Sequence, residues 1–272
     1  MKFLNISNIK SANVEISTNC NAACPLCSRN YNGYGVRDNF PLKDMSMDEF
    51  KKLMDPVLAN KPFLLSLCGT YGDPAANKQC LEILEYVNTE YPHVEIILSS
   101  NASMKTISWW ANLAKISNLK IEFALDGLAD THHIYRQNTS WQKVINNATA
   151  FIQAGGYAVW QFIQFEHNKH QFYKCKDLSR QLGFAEFKHF DDNRSNGIAF
   201  KPDGTPFVLG TSQQQTITAP EFVEQEKYLQ RQYELNLQHE FDRDLKVDTI
   251  ECYSQEGNIY VAVNGDIWPC CW

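Results

Sequence analysis

At 272 residues, 44% hydrophobic and 12% aromatic, the chain has the bulk for one large α/β domain, alone or with a small appendage. A net charge of −6 gives no electrostatic reason to hold nucleic acid without specificity. No apolar run nears the ~20 residues of a membrane span, and residues 1–10 lack a signal-peptide core, so a reducing cytoplasm is the expected compartment.

In chain order, strand-like segments at 13–17, 63–68, 94–99, 120–125, 157–164 and 185–190 alternate with helical stretches at about 46–60, 75–91, 106–117, 140–154 and 170–182. Ser46-x-x-Glu49 and Thr139-x-x-Gln142 read as capping boxes, and Gly155 and Gly183 stand where helix C-caps belong. Strictly alternating βα units predict a parallel sheet with right-handed crossovers. Each strand carries one apolar face, but the other is polar: Glu15 and Ser17, Glu95, Ser99 and Asn101, Glu122 and Asp126. Parallel sheets are normally covered on both faces, so this second face is expected to line a cavity. Glu15, Glu95, Glu122 and Lys188 are the lumen candidates for orienting a substrate or moving protons.

After Phe190 the composition turns polar and turn-rich through 219, a helix is predicted from Pro220 to about His239, and Asn258–Trp268 reads as a β-hairpin on its Asn264-Gly265 turn. Cys80 and Cys175 are expected as buried small hydrophobes in mid-helix and Cys68 as another at a strand end, while His132 and His133 are expected on the surface. The Trp109-Trp110 pair is expected to anchor its helix to the sheet.

Six of the nine cysteines fall into two groups, Cys20, Cys24 and Cys27, then Cys252, Cys270 and Cys271. In a reducing compartment such clusters point to metal or catalysis rather than disulfides. Three thiolates on one short loop can hold three irons of a cubane and leave the fourth open. Structural zinc would ask for a fourth ligand close by, and the next cysteine is Cys68.

Further segments stand at successive strand ends. They are Leu67-Cys68-Gly69-Thr70-Tyr71-Gly72-Asp73-Pro74, then Ser99-Ser100-Asn101, then Phe123-Ala124-Leu125-Asp126-Gly127 with His133-x-x-Arg136 after it. With the Cys-x3-Cys-x2-Cys loop after the first strand, they resemble the radical S-adenosylmethionine (radical SAM) superfamily. That resemblance implies an open (βα)6 partial TIM barrel, and a [4Fe–4S] cluster on Cys20, Cys24 and Cys27 whose open iron is chelated by the amine and carboxylate of SAM. Gly69, Gly72, Asp73 and Pro74 look like the family's Gly-Gly-Glu-Pro element, with Asp73 in place of Glu, whose backbone binds the methionine amino group. By the same resemblance Asn101 and Asp126 border the SAM ribose, Arg136 pairs with the SAM carboxylate, and Ser99, Gln161, Gln164 and Asn168 are further cofactor candidates. Ala124 departs from the family's more usual serine.

The pattern Cys252-x12-Gly265-x4-Cys270-Cys271 is similar to the opening of the twitch or SPASM appendage, which implies an auxiliary iron–sulfur cluster. Three readings stay open there: a three-cysteine site, a zinc site, or a chain that stops short at Trp272. Adjacent side chains on an extended segment diverge, which counts against Cys271 as a fourth ligand. The expected division is a core at 1–190, a polar connector with one helix at 191–249, and a small metal-binding hairpin at 250–272. The implied activity is reductive cleavage of SAM to a 5′-deoxyadenosyl radical that takes hydrogen from a peptide or protein side chain, with a flavodoxin- or ferredoxin-type electron donor. Small-molecule or cofactor biosynthesis is the alternative, a non-catalytic zinc-binding ligand or partner module is the reading from another class, and nucleic-acid modification is disfavoured by the charge.

Overall fold

Alternate apolar residues commit one face of each strand to the helices, and a computed structural model shows how the strands assemble. It describes residues 6–192, 198–209, 217–240 and 257–268. The elements are β1 Ser11–Val14, α1 Met47–Leu58, β2 Phe63–Leu67, α2 Cys80–Glu90, β3 Val94–Ser100, α3 Ile107–Leu113, β4 Leu119–Ala124, α4 His132–Tyr135, α5 Trp141–Gln153, β5 Tyr157–Gln164, α6 Phe172–Leu182, β6 Glu186–Asp191, β7 Ile198–Phe200, β8 Pro206–Val208, α7 Ala219–Glu240, β9 Asn258–Val261 and β10 Ile267–Trp268. Strands β1 to β6 lie side by side in chain order and are all parallel. Among the described residues the sheet runs from β10 to β6 without closing on itself, the open barrel that the resemblance implies.

The helix-facing rows Val14, Leu65, Ile96, Ile121, Phe123 and Trp160 are wholly or almost wholly buried and belong to one core with the helices. Trp110 is fully buried there and Trp109 packs beside it, as expected of the pair. The opposite face carries Asn13 beside Ser66, Ser99 beside Glu122, and Gln161 beside Lys188, each pair in register on adjacent strands. This settles the face of β5, which carries aromatics on both sides: Trp160 and Phe162 go to the helices, Gln161 to the lumen.

Several expectations need correction. The box at Thr139 shifts by one residue: Ser140 caps α5 through the Lys143 N–H, while Thr139 donates to the Arg136 carbonyl. Cys80 opens α2 rather than lying in its middle, and Cys68 is half-buried with its Sγ 2.8 Å from Asn13 Oδ1. His132 is fully buried, its Nε2 3.1 Å from Thr139 Oγ1, because α4 turns that face into the protein; His133 stays exposed. The hairpin at the C-terminus forms, but as part of the main sheet. Strand β9 pairs parallel with β1 from Ser11↔Asn258 to Val14↔Val261, and β10 returns antiparallel along β9. The polar stretch after β6 holds a second hairpin, β7–β8, which the turn-rich composition concealed.

Candidate cofactor site at the strand ends

The loop from Cys20 to Cys27 leaves the C-terminal end of β1, where parallel α/β sheets bind their ligands. Its backbone is tied down by residues that follow it directly. Arg29 donates to the carbonyls of Ala22 (2.8 Å) and Cys20 (3.4 Å), and Asn30 Nδ2 donates to that of Cys24 (2.8 Å). Both side chains are buried and were missed in the sequence; their only signal there is two polar residues where a tight loop needs its carbonyls satisfied.

Cys24 is buried, and Cys20 and Cys27 are half-buried. Burial, reinforced by the Asp73 charge, pushes the Cys20 thiol up to about 12, and burial raises Cys24 as well. Deprotonating either would need added positive charge, which the irons of a cluster would provide. The sulfurs also have donors. The Ala22 N–H lies 3.3 Å and Asn101 Nδ2 3.4 Å from Cys20 Sγ, while Arg136 Nη1 lies 3.8 Å from Cys24 Sγ. Hydrogen bonds to sulfur are one of the protein's levers on an iron–sulfur centre. Among the described residues no three Cys, His, Asp or Glu side chains converge on a position for one metal ion. A cubane asks for separated sulfurs, one per iron. The donor set, three thiols on one loop with N–H groups directed at two of their sulfurs, fits such a cluster.

Two buried aspartates place those donors. Asp73 accepts from the Ala75 N–H, the Asn101 N–H and the Ser100 hydroxyl, all within 3.0 Å, and so joins the turn after β2 to the end of β3. Burial raises its pKa, and these hydrogen bonds oppose the rise. Asp126 accepts from the Ile163 N–H and, at 2.5 Å, from Arg136 Nε, joining β4, α4 and β5. Both carboxylates are thus engaged inside the protein, and the group that Asp126 holds reaches a cysteine. Asn168 Nδ2 binds the carbonyls of Ile163 and Asp126 at the same corner.

The turn at 69–73 packs hard on the loop strand. A Cβ on Gly72 would sit 2.0 Å from the Ser17 carbonyl oxygen, and one on Gly69 would strike Gly72. The residue type is therefore forced by the protein's own backbone. Ser99, Glu122, Gln161 and Lys188 form a lumen network: Glu122 accepts from Ser99 (2.7 Å), Gln161 (3.3 Å) and Lys188 (2.6 Å). Gln164 stays at the exposed end of β5, facing Asp191. Glu95 does not join the network. It is exposed at the start of β3, the opposite mouth of the barrel, because facing the lumen does not fix the height along it.

A roof covers the cysteines. Tyr135, Phe165, Ala199 and Leu209 are buried against Cys24, with Cys20 and Cys27 at the margin. Asn32 fastens the β7–β8 hairpin by accepting from the Phe200 N–H (2.7 Å) and donating to the Ile198 carbonyl (3.1 Å). Helix α7 is held to the same loop by Arg37–Glu226 (2.8 Å) and Lys227–Asp38. Cys252, Cys270 and Cys271 lie outside the described residues.

The family description "Radical SAM superfamily" matches residues 14–163, more than half of the chain. The chain belongs to the radical SAM superfamily. Membership implies SAM and a [4Fe–4S] cluster. Similar solved structures include Streptococcus suis SuiB bound to S-adenosylmethionine, 14% identical with a TM-score of 0.64, covering 97% of this chain and 60% of SuiB. Native anSMEcpe with bound AdoMet is 16% identical with a TM-score of 0.60, covering 96% and 74%. A tagged form of the same enzyme is 17% identical with a TM-score of 0.56, covering 67% and 50%. At these identities the likeness is one of fold, and this radical SAM chain spans three fifths of SuiB and half of the tagged enzyme. No curated protein matches the sequence.

Proposed function

We propose that the protein is a radical SAM enzyme acting on a peptide or protein side chain. A reduced cluster bound to Cys20, Cys24 and Cys27 would supply the electron that splits the SAM sulfonium into methionine and a 5′-deoxyadenosyl radical, which takes a hydrogen atom from the substrate. The chain's own residues do the rest. The Cys20–Cys27 loop is held by Arg29 and Asn30, its sulfurs accept from Asn101 and Arg136, and the roof of Tyr135, Phe165 and Leu209 keeps water away. The single observation that carries the reading is that these donors, drawn from three different strand ends, meet at the cysteine loop.

The peptide assignment draws support from two relatives. SuiB has been solved bound to its precursor peptide SuiA, and anSMEcpe with AdoMet and the Cp18Cys peptide. In this chain the Ser99–Glu122–Gln161–Lys188 network offers both donors and acceptors to an amide. The Cys252, Cys270 and Cys271 group is proposed as an auxiliary iron–sulfur site of twitch or SPASM type. In support, β10 returns Trp268 beside Tyr260, so the chain enters and leaves the hairpin at one end. A flavodoxin- or ferredoxin-type donor and a cytoplasmic setting complete the proposal. No helix among the described residues is long and apolar enough to cross a membrane.

Anaerobic reconstitution with iron and sulfide, followed by dithionite and SAM, tests it. The native chain should release 5′-deoxyadenosine, and the triple variant Cys20→Ala, Cys24→Ala, Cys27→Ala should fall to background. Undiminished release from the triple variant overturns the reading.

A further inference from the structure

Glu15 is a carboxylate in the barrel wall that the proposed chemistry does not use, yet it is 1% exposed and three donors converge on it. One oxygen accepts from the backbone N–H groups of Tyr71 (2.6 Å) and Gly72 (3.0 Å), and the other accepts from the Tyr260 hydroxyl (2.6 Å). Tyr260 lies 245 residues away along the chain, on the strand that adds to β1. This contact is buried, and burial of the carboxylate raises its pKa while the three hydrogen bonds oppose the rise.

The two peptide groups that Glu15 holds belong to the turn at 69–73. In a planar trans peptide the N–H and the C=O point in opposite directions. With the Tyr71 and Gly72 N–H groups turned to Glu15, the carbonyls of Thr70 and Tyr71 are aimed away from it. An ammonium group donates only and needs acceptors, so a turn that is to hold one must present carbonyls, not N–H groups. Glu15 selects that orientation, and Tyr260 fixes Glu15.

We infer that Tyr260 and Glu15 are positioning residues that set the carbonyls of the Gly69–Asp73 turn for the amino group of the cofactor, so that cofactor affinity depends on the C-terminal strand β9. This rests on the radical SAM reading of the site. It also ties β9 to the front of the barrel by more than its strand pairing.

The test uses Tyr260→Phe, which removes one hydroxyl, and Glu15→Gln, which replaces one acceptor oxygen by a donor. Val261→Ala serves as a control, thinning the helix-side core under the same strand, where Val261 is fully buried. Amide exchange across residues 69–73 is measured without SAM, and SAM binding to the reconstituted protein is measured by equilibrium dialysis. Both strut variants should exchange about tenfold faster in the turn and bind SAM about tenfold more weakly, with unchanged iron content. The control should do neither, even where it melts earlier. Unchanged exchange in both strut variants overturns the inference, and so does a loosened turn with undiminished SAM affinity. Failure of the native chain itself to bind SAM would sink the functional reading instead, and the exchange data would still decide whether the strut orders the turn.

Discussion

The barrel and the roof are built by different means. In the barrel, long parallel strands bury alternate residues against helices in one continuous core that runs from Ile9 to Val263. The roof over the cysteines has two short strands and one helix, with a small cluster of Ile198, Phe200 and Ala219 and a few ties to the loop at 28–38. Many apolar contacts share the load in the first region, whereas two small apolar clusters with a few hydrogen bonds and ion pairs carry it in the second. The difference predicts separate stabilities for the scaffold that holds the cysteines and the cover above them, and a cover that opens below the global free energy of unfolding would admit substrate.

Three measurements sharpen or break this comparison. Phe123 is fully buried in the interior strand β4, against Trp110, Phe151 and Phe184. Phe123→Ala should cost about 3–5 kcal/mol in denaturant unfolding, because the surrounding rings cannot close the cavity. A loss under about 1 kcal/mol would show that the barrel core is no more rigid than the roof.

The short helix α4 links the two regions, and it carries His132, which burial, with the charges of Arg136 and His133, lowers to about 3. The native state keeps this ring neutral while the unfolded chain protonates it below about 6.5. Stability is therefore fully present above that pH and declines as pH falls toward 3, by something on the order of 4 kcal/mol for this group alone. Unfolding curves across that window should show the decline, and His132→Gln should flatten it.

Phe200 is as deeply buried as Phe123, yet its cluster is small. Phe200→Ala should lower the global free energy by only about 1–2 kcal/mol while amide exchange rises across 198–209 and the cysteine loop. Equal global losses for the two phenylalanines would mean that barrel and roof unfold as one unit, and the comparison would fail.

Much of the barrel was readable from particular residues. The alternation in Val94–Ser100 and Leu119–Ala124 marked both faces correctly, and Ser46 with Glu49 form the capping box they spell. Other positions were not readable. Alternation gives a residue's face but not its height, which is why Glu95 stands with Glu122 among the lumen candidates yet lies at the far mouth. The family resemblance implied a place for Asp73 and Asp126 beside the cofactor, without showing that their oxygens are committed within the protein. Arg29 and Asn30 carried no pattern beyond their closeness to the cysteines.

Local periodicity and short-range chemistry depend on neighbours within a few residues, so the chain alone determined the βα order, the parallel sheet and the three-cysteine loop. Contacts across long separations have no such imprint. Which groups satisfy Glu15, that β9 joins β1, and that β7–β8 covers Cys24 were decided only when folding brought distant segments together, because every buried donor and acceptor must find its partner wherever the chain supplies one.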